Sequence, residues 1–260
     1  MKKIIVSIVL AAMLLALAMP FSVSAVDIEA LKGTPVIDGK LEDFWKQSGK
    51  IETGGAPFYT AGGATATDSK ASAVTYFLYD DNYFYLATVV SGDTTMSKKG
   101  EGKQWKQDAA EYWINITTGK MKFANDAFNQ GIYGDNSTDA KLLEGCKSAT
   151  SQTKDGYIVE FAVPISGKKA GDSIMVSCQF NDLLDPPEKI VAFGKQSCDD
   201  KVTLSSKAVE LPVETTAAAT KAAAEKAPAA AAQTADITAV MAIVSMAVSA
   251  GAVLSVKKRK

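Results

Sequence analysis

The sequence contains no histidine. That removes the usual general base of serine and cysteine hydrolases and every His-ligated metal centre, leaving carboxylate, lysine or tyrosine chemistry to any enzymatic reading. Cysteine is scarce as well. Cys146, Cys178 and Cys198 cannot all pair within one chain, and their spacing favours none of the three pairings. Excess positive charge is also missing. Against 29 acidic side chains stand 28 basic ones, and six of these (Lys2, Lys3, Lys257, Lys258, Arg259 and Lys260) sit at the two ends, leaving 22 basic and a net −7 between residues 4 and 256. Such a body lacks the basic footprint that a phosphate backbone requires, so no nucleic-acid partner is expected. A sustained apolar stripe of helical period is absent between residues 26 and 212, which argues against a helical domain.

The ends of the chain read as addresses. Met1-Lys2-Lys3, an apolar run from Ile4 to Met19, Pro20 and the small residues Val23-Ser24-Ala25 follow the order of a secretory signal peptide cut after Ala25. At the other end, residues 237–256 carry no charge and are followed at once by Lys257-Lys258-Arg259-Lys260. As a helix, that stretch is about 30 Å long, enough to cross a bilayer with its basic tail in the cytoplasm. Between residues 213 and 236, 12 of 24 positions are Ala, interrupted by Pro228, a composition that cannot build a core and reads as a disordered stalk. Gln233-Thr234-Ala235-Asp236 resembles a degraded sortase sorting signal without its Leu-Pro pair. The expected product is an exported, surface-held protein with one transmembrane anchor.

What remains, residues 26–212, fits a single core. Ala73–Tyr79 and Tyr83–Val90 are rich in aromatic and β-branched residues, with Asp80-Asp81-Asn82 as the turn between them, which predicts a hairpin. Ala110–Ile116, Tyr157–Val163, Ser173–Phe180 and Lys201–Leu204 repeat the pattern. Many short strands with polar connections predict an all-β, antiparallel β-sandwich or jelly roll, with any site on the loops at one face.

Four segments occur in a set order: Thr34-Pro35-Val36-Ile37-Asp38-Gly39-Lys40 running on to Trp45; Tyr79–Leu86; Trp105-Lys106-Gln107-Asp108-Ala109-Ala110-Glu111-Tyr112-Trp113; and Gly156–Pro164. Together they resemble a family 9 carbohydrate-binding module over roughly residues 31–194. The resemblance implies a β-sandwich and a non-catalytic grip on a polysaccharide or oligosaccharide of xylan or cellulose type. By position it assigns sugar stacking to Trp105 and hydroxyl recognition to Glu111, Gln179 and Asn181. The second aromatic wall of the family has no tryptophan here, and Phe193 is the nearest ring; the family's arginine on the following strand is also absent, with Asn129 close to that place.

The chemistry is sensible on its own terms, since a pyranose offers apolar C–H faces to an indole and hydroxyls to carboxylates and amides. Other readings of the same residues stay open. Glu111 also reads as a solvated outer-face carboxylate, Trp113 as packing, and Trp45 as a core ring. An adhesion or protein-interaction domain that kept the fold without the sugar site is the alternative function, and a glycosidase using paired carboxylates has no recognisable context. Structural calcium suits exported sandwiches, yet no D-x-D-x-D-G loop is present and the sequence names no ligand set.

Overall fold

The turn Asp80-Asp81-Asn82 is closed by its own first side chain. Asp80 Oδ1 accepts from the backbone N–H groups of Asn82 and Tyr83, at 2.8 Å each, the short-range bonding that makes Asp a turn former. Strands β4 (Ser72–Tyr79) and β5 (Tyr83–Ser91) pair antiparallel around it from Tyr79 opposite Phe84 to Ser72 opposite Ser91. Alternation does the rest: Phe77, Phe84, Leu86 and Val90 are buried on one face of this hairpin.

The computed structural model describes residues 27–98, 106–116, 119–185 and 188–211. The expected leader, stalk and span lie outside them, and among the described residues no helix is long and apolar enough to cross a membrane. The remaining strands are β1 (Ile28–Lys32), β2 (Lys50–Thr53), β3 (Tyr59–Ala61), β6 (Ala109–Asn115), β7 (Lys120–Asp126), β8 (Tyr133–Gly134), β9 (Lys147–Gln152), β10 (Gly156–Pro164), β11 (Ser173–Leu184), β12 (Lys189–Gly194) and β13 (Asp200–Ala208). A 3-10 turn at Asp43–Gln47 and a short helix α1 (Ala140–Glu144) complete the described elements.

Hydrogen bonding is continuous along one mixed sheet in the order β8-β7-β6-β11-β13-β1-β4-β5-β10-β9, with β2 beside β4 and the pair β12-β3 branching from β11. The sheet is curled. Tyr112 on β6 and Phe123 on β7 meet Phe161 on β10 edge to face, with centroids 5.7 and 6.1 Å apart, although these strands are far from one another in the order. One core cluster therefore draws on both halves of the sheet, as in a sandwich.

The all-antiparallel expectation is corrected at one place. β1 runs parallel to both its neighbours, β13 and β4. Five residues of half-alternating pattern carry no information on direction; the neighbours come from distant parts of the chain, and direction follows from where β1 must enter the closing sheet. The strand pattern missed β1, β2, β3, β7, β8, β9 and β12, mostly short or polar segments whose β structure comes from pairing and not from propensity.

The Ile37-Asp38-Gly39 segment is pinned to β10 by a buried carboxylate. Glu160 Oε2 accepts from the N–H of Asp38 (2.9 Å) and Gly39 (2.7 Å), while Oε1 has no partner. Trp45 packs in a second cluster with Leu78, Tyr85, Ala87 and Ala162, and its Nε1 donates to Glu42. It is the core ring the entry motif suggested.

Burial, partly offset by the two N–H donors, pushes the Glu160 carboxyl from its ordinary 4.5 up to about 7. The folded state thus holds this proton more tightly than the unfolded state. Its contribution is complete below about pH 4.5 and is lost as pH rises to about 7. Glu160→Gln carries no charge at any pH, so its stability relative to the wild type should rise by on the order of 2 kcal/mol between pH 4.5 and 7.5. Urea unfolding at several pH values checks this; a difference that does not change with pH refutes the assignment.

Candidate functional site

Strand alternation sorts β6 and β11 into two faces. Tyr112 and Ile114, with Cys178 and Phe180, enter the core, so Glu111 and Trp113, with Gln179 and Asn181, lie on the other side. The register then sets Glu111 directly opposite Gln179, and on the next strand Lys122 opposite Trp113. Three residues distant in sequence become neighbours by this pairing.

Glu111 and Asn181 are each 1 % exposed, and their polar atoms answer one another. Lys122 Nζ lies 2.7 Å from Glu111 Oε2, and Asn181 Nδ2 donates to Glu111 Oε1 at 3.0 Å. Gln179 Nε2 donates to Asn181 Oδ1 at 2.7 Å and reaches Glu111 Oε2 at 3.5 Å, the long limit of a hydrogen bond. Gln196 Nε2 donates to Gln179 Oε1 at 3.0 Å. Lys122 Nζ also stands 5.2 Å from the Trp113 ring centroid and 5.5 Å from that of Tyr133, within cation–π range. A carboxylate, an ammonium and three primary amides converge, offering donors and acceptors in the mixture that vicinal hydroxyls need.

Paired-carboxylate hydrolysis finds little support here. A second carboxylate on this face, Asp126, is buried and already accepts from Phe128 N, Gln130 N and Gln107 Nε2.

Of the residues expected from sequence, Glu111, Gln179 and Asn181 are brought together. Glu111 is not the solvated carboxylate of the alternative reading. Trp105 lies outside the described residues. Phe193 does not reach this face: it is 1 % exposed, stacked on Phe180 with centroids 4.9 Å apart, inside the core. Alternation on β12 explains the correction, since Val191 and Phe193 point inward and Ala192 faces away from the core beside Asn181. Gly194, opposite Gln179, has φ +103°, and a Cβ there would stand 2.2 Å from the Cys178 carbonyl, so no side chain can take its place. Asn129 is a left-handed turn residue (φ 52°) that accepts from Asn125 Nδ2. The cation at the expected arginine's strand is Lys122, and the alternation Lys120-Met121-Lys122-Phe123-Ala124 was its overlooked signal.

Tyr59 was also overlooked. Its partner in β12 is Ala192, which itself pairs with Asn181, so the ring sits on the same face two strands from the amides. It is 54 % exposed, with the small Ala192 between. A short polar segment such as Phe58-Tyr59-Thr60-Ala61 gives no hint of which face it serves until pairing decides.

Behind this face, on the core side at the ends of β5, β6 and β11, stand Asp93, Asp108 and Asp182. One oxygen of each lies within 4.8 Å of the others. All three are at most 3 % exposed, and Asp93 Oδ2 and Asp182 Oδ1 have no hydrogen-bond partner. Burial first, and mutual repulsion next, push Asp108 up to about 8 and Asp93 up to about 6; burial raises Asp182 as well. Oxygen donors around a calcium ion at about 2.4 Å are up to about 4.8 Å apart, so the set fits a hard divalent cation. Other acidic residues are engaged elsewhere: Asp80 closes its hairpin, and Asp199 and Asp200 pair with Lys195. Cys146, Cys178 and Cys198 are all free thiols.

Removing one member of the Glu111–Lys122 pair leaves a buried charge without compensation. Lys122→Met should therefore cost about 3–5 kcal/mol in denaturant unfolding. The double variant Glu111→Gln with Lys122→Met should recover most of that loss; equal instability of single and double variants would show that the pair is not the cause.

Comparison with known proteins gives the family and the fold. A family model described as carbohydrate family 9 binding domain-like matches residues 37–201. An endo-1,4-beta-xylanase A from Thermoanaerobacterium saccharolyticum is 35 % identical over 147 residues, and the exoglucanase XynX from Acetivibrio thermocellus 33 % identical over 141. These stretches cover 55 % and 52 % of the chain but 12 % of either enzyme. Among solved structures, a family 9 carbohydrate-binding module from Caldicellulosiruptor kristjanssonii in complex with cellotriose superposes with a TM-score of 0.55 at 20 % identity, covering 72 % of the chain and 98 % of that module. The same source's module in complex with glucose gives 0.54 at 18 %. At these identities the structures speak for the fold, and the family match covers most of the chain: the protein belongs to the carbohydrate family 9 binding domain-like family.

Proposed function

We propose that the chain is a non-catalytic module that binds a glucan- or xylan-type saccharide on the face of β6, β11 and β12. The observation that carries this reading is the convergence of Glu111, Gln179 and Asn181, three hydroxyl-binding side chains from two strands, at 2.7–3.5 Å from one another. The solved relatives hold cellotriose and glucose, and the curated relatives are xylan- and glucan-degrading enzymes that share only this part.

In this reading a sugar ring exchanges its hydroxyls for some of the bonds the cluster now makes internally. Lys122 orients Glu111 through their 2.7 Å ion pair, so the carboxylate accepts while the amides both donate and accept. The family resemblance assigns one stacking ring to Trp105. Tyr59 offers a second, roughly 10 Å from Asn181 across two strand spacings, a distance that suits contact with a neighbouring sugar of a chain.

Export and surface attachment belong to the same reading. They are supported by the cation-apolar-small order of residues 1–25 and by the uncharged stretch 237–256 followed by four basic residues. A surface protein-interaction role is the competing reading, favoured by the cluster's internal satisfaction and by the burial of Phe193. A pull-down from envelope extracts that persists in a Gln179→Ala variant would favour it.

Isothermal titration with glucose, cellotriose and xylotriose should give saturable heat with at least one of them. Gln179→Ala should weaken that binding tenfold or more with unchanged circular dichroism, because an amide contact in a desolvated cluster is worth about 1.5 kcal/mol. Tyr59→Ala should weaken cellotriose about fivefold and glucose hardly at all, as stacking contributes about 1 kcal/mol. No heat with any saccharide rules the function out.

A further inference from the structure

We propose that residues 54–63 form a glycine-hinged flap that closes on a saccharide chain held by Glu111, Gln179 and Asn181, with Tyr59 as the ring that meets it; the proposal rests on the saccharide reading above. The face itself sets the need for such an element. Phe193 is committed to the core and Gly194 admits no side chain, so β12 offers a ligand no wall, and the next strand outward is β3.

Sequence and backbone both mark this strand as a separate piece. Gly54-Gly55 precedes it and Gly62-Gly63 follows it. Gly55 and Gly63 each hold φ +78°, a conformation strained for other residues, and a Cβ on either would meet nothing within 4 Å, so no neighbour wedges these two positions. Between them, β3 is tied to β12 over three residue pairs and by the Phe58 N–H, which donates to the Ala192 carbonyl at 2.8 Å. Among the described residues no strand lies along its other edge. Beside its base, a cleft of about 220 Å³ is lined by Gly54 and Ala56 on one side and by Gly194, Lys195 and Asp200 on the other. A ladder this short, at the rim of the sheet and with space beside its base, opens at a small fraction of the global unfolding free energy. Its far end is anchored: Gly62 passes so near the Glu188 carbonyl that a Cβ would stand 2.2 Å from it, and Lys189 Nζ pairs with Asp68 at 3.1 Å.

The segment carries rings where the face lacks them. Among the described residues four large hydrophobic side chains are exposed, and two of these, Phe58 and Tyr59, are neighbours here. Alternation puts Tyr59 on the face of the polar cluster and Phe58 on the reverse. In the ladder only Ala192 stands between Tyr59 and Asn181. A saccharide chain running from Asn181 towards β3 carries its next sugar over Ala192, where a small roll of β3 lays the phenol ring against the C–H face of that sugar. Closure therefore needs a chain. A single sugar in the cluster leaves Tyr59 without a partner, whereas a longer saccharide shifts the flap towards its closed form.

Hydrogen–deuterium exchange of the wild-type protein, read by mass spectrometry, tests this. In the free protein residues 55–63 should exchange at least about a hundredfold faster than residues 174–184 of β11. Saturating cellotriose or xylotriose, whichever binds, should slow residues 55–63 about tenfold, while saturating glucose changes them by less than about twofold. The slowing should vanish in Tyr59→Ala at a trisaccharide concentration that saturates the variant. Exchange in the free protein as slow as that of β11 overturns the flap. So does unchanged exchange while isothermal titration shows a trisaccharide bound, and so does binding of glucose with neither trisaccharide; the saccharide reading survives all three. Equal slowing in Tyr59→Ala, or by glucose, overturns Tyr59 as the closing contact. Absence of binding by all three sugars overturns the flap's role together with the saccharide reading.

Discussion

A carboxylate placed on the middle of a strand and shielded from water must find all its partners on the strands beside it. Glu111 does so through Lys122 on β7 and Gln179 and Asn181 on β11. The arrangement is demanding, because a one-residue slip of either pairing would put the carboxylate's partners on the core side and an aromatic ring in their place. The polar face is therefore inseparable from the register of the sheet, and the register is held by the aromatic core behind it.

That core explains why the polar face is rigidly supported. Tyr112, between Glu111 and Trp113, enters the interior, accepts or donates a hydrogen bond with Thr88 on β5, and meets Phe161 on β10. Phe180, between Gln179 and Asn181, stacks on Phe193 of β12. Each polar side chain of the cluster is thus flanked by a neighbour locked into close packing, the means by which sheets hold side chains within a narrow range of positions. Loss of Phe193 as a ligand wall is the counterpart of its use as a core ring.

How much was legible depended on how local each signal was. The hairpin at Asp80 could be read because its turn chemistry and flanking alternation lie within twenty residues. Glu111, Gln179 and Asn181 were reached through their resemblance to a family pattern; nothing in their spacing of 68 and 70 residues shows that they touch. Lys122 was passed over because a lysine in a polar-looking strand is ordinarily solvated. Tyr59 was passed over because a three-residue strand carries no periodicity to read. The acidic triad was invisible for a further reason: its members come from three strand ends, 15 and 74 residues apart, with no loop motif to announce them.

The amino-acid order alone determined a histidine-free chain of short β segments, and thereby left only carboxylate, lysine or tyrosine groups to any acid–base chemistry. It also determined where strands such as β4, β5 and β10 run, since alternation and turn residues act over a few positions. Tertiary structure decided the parallel entry of β1, the inward turn of Phe193, the pairing of Lys122 with Glu111, and the meeting of Asp93, Asp108 and Asp182. Each of these depends on which distant strands become neighbours, and that choice is made by the curl of the whole sheet around one core.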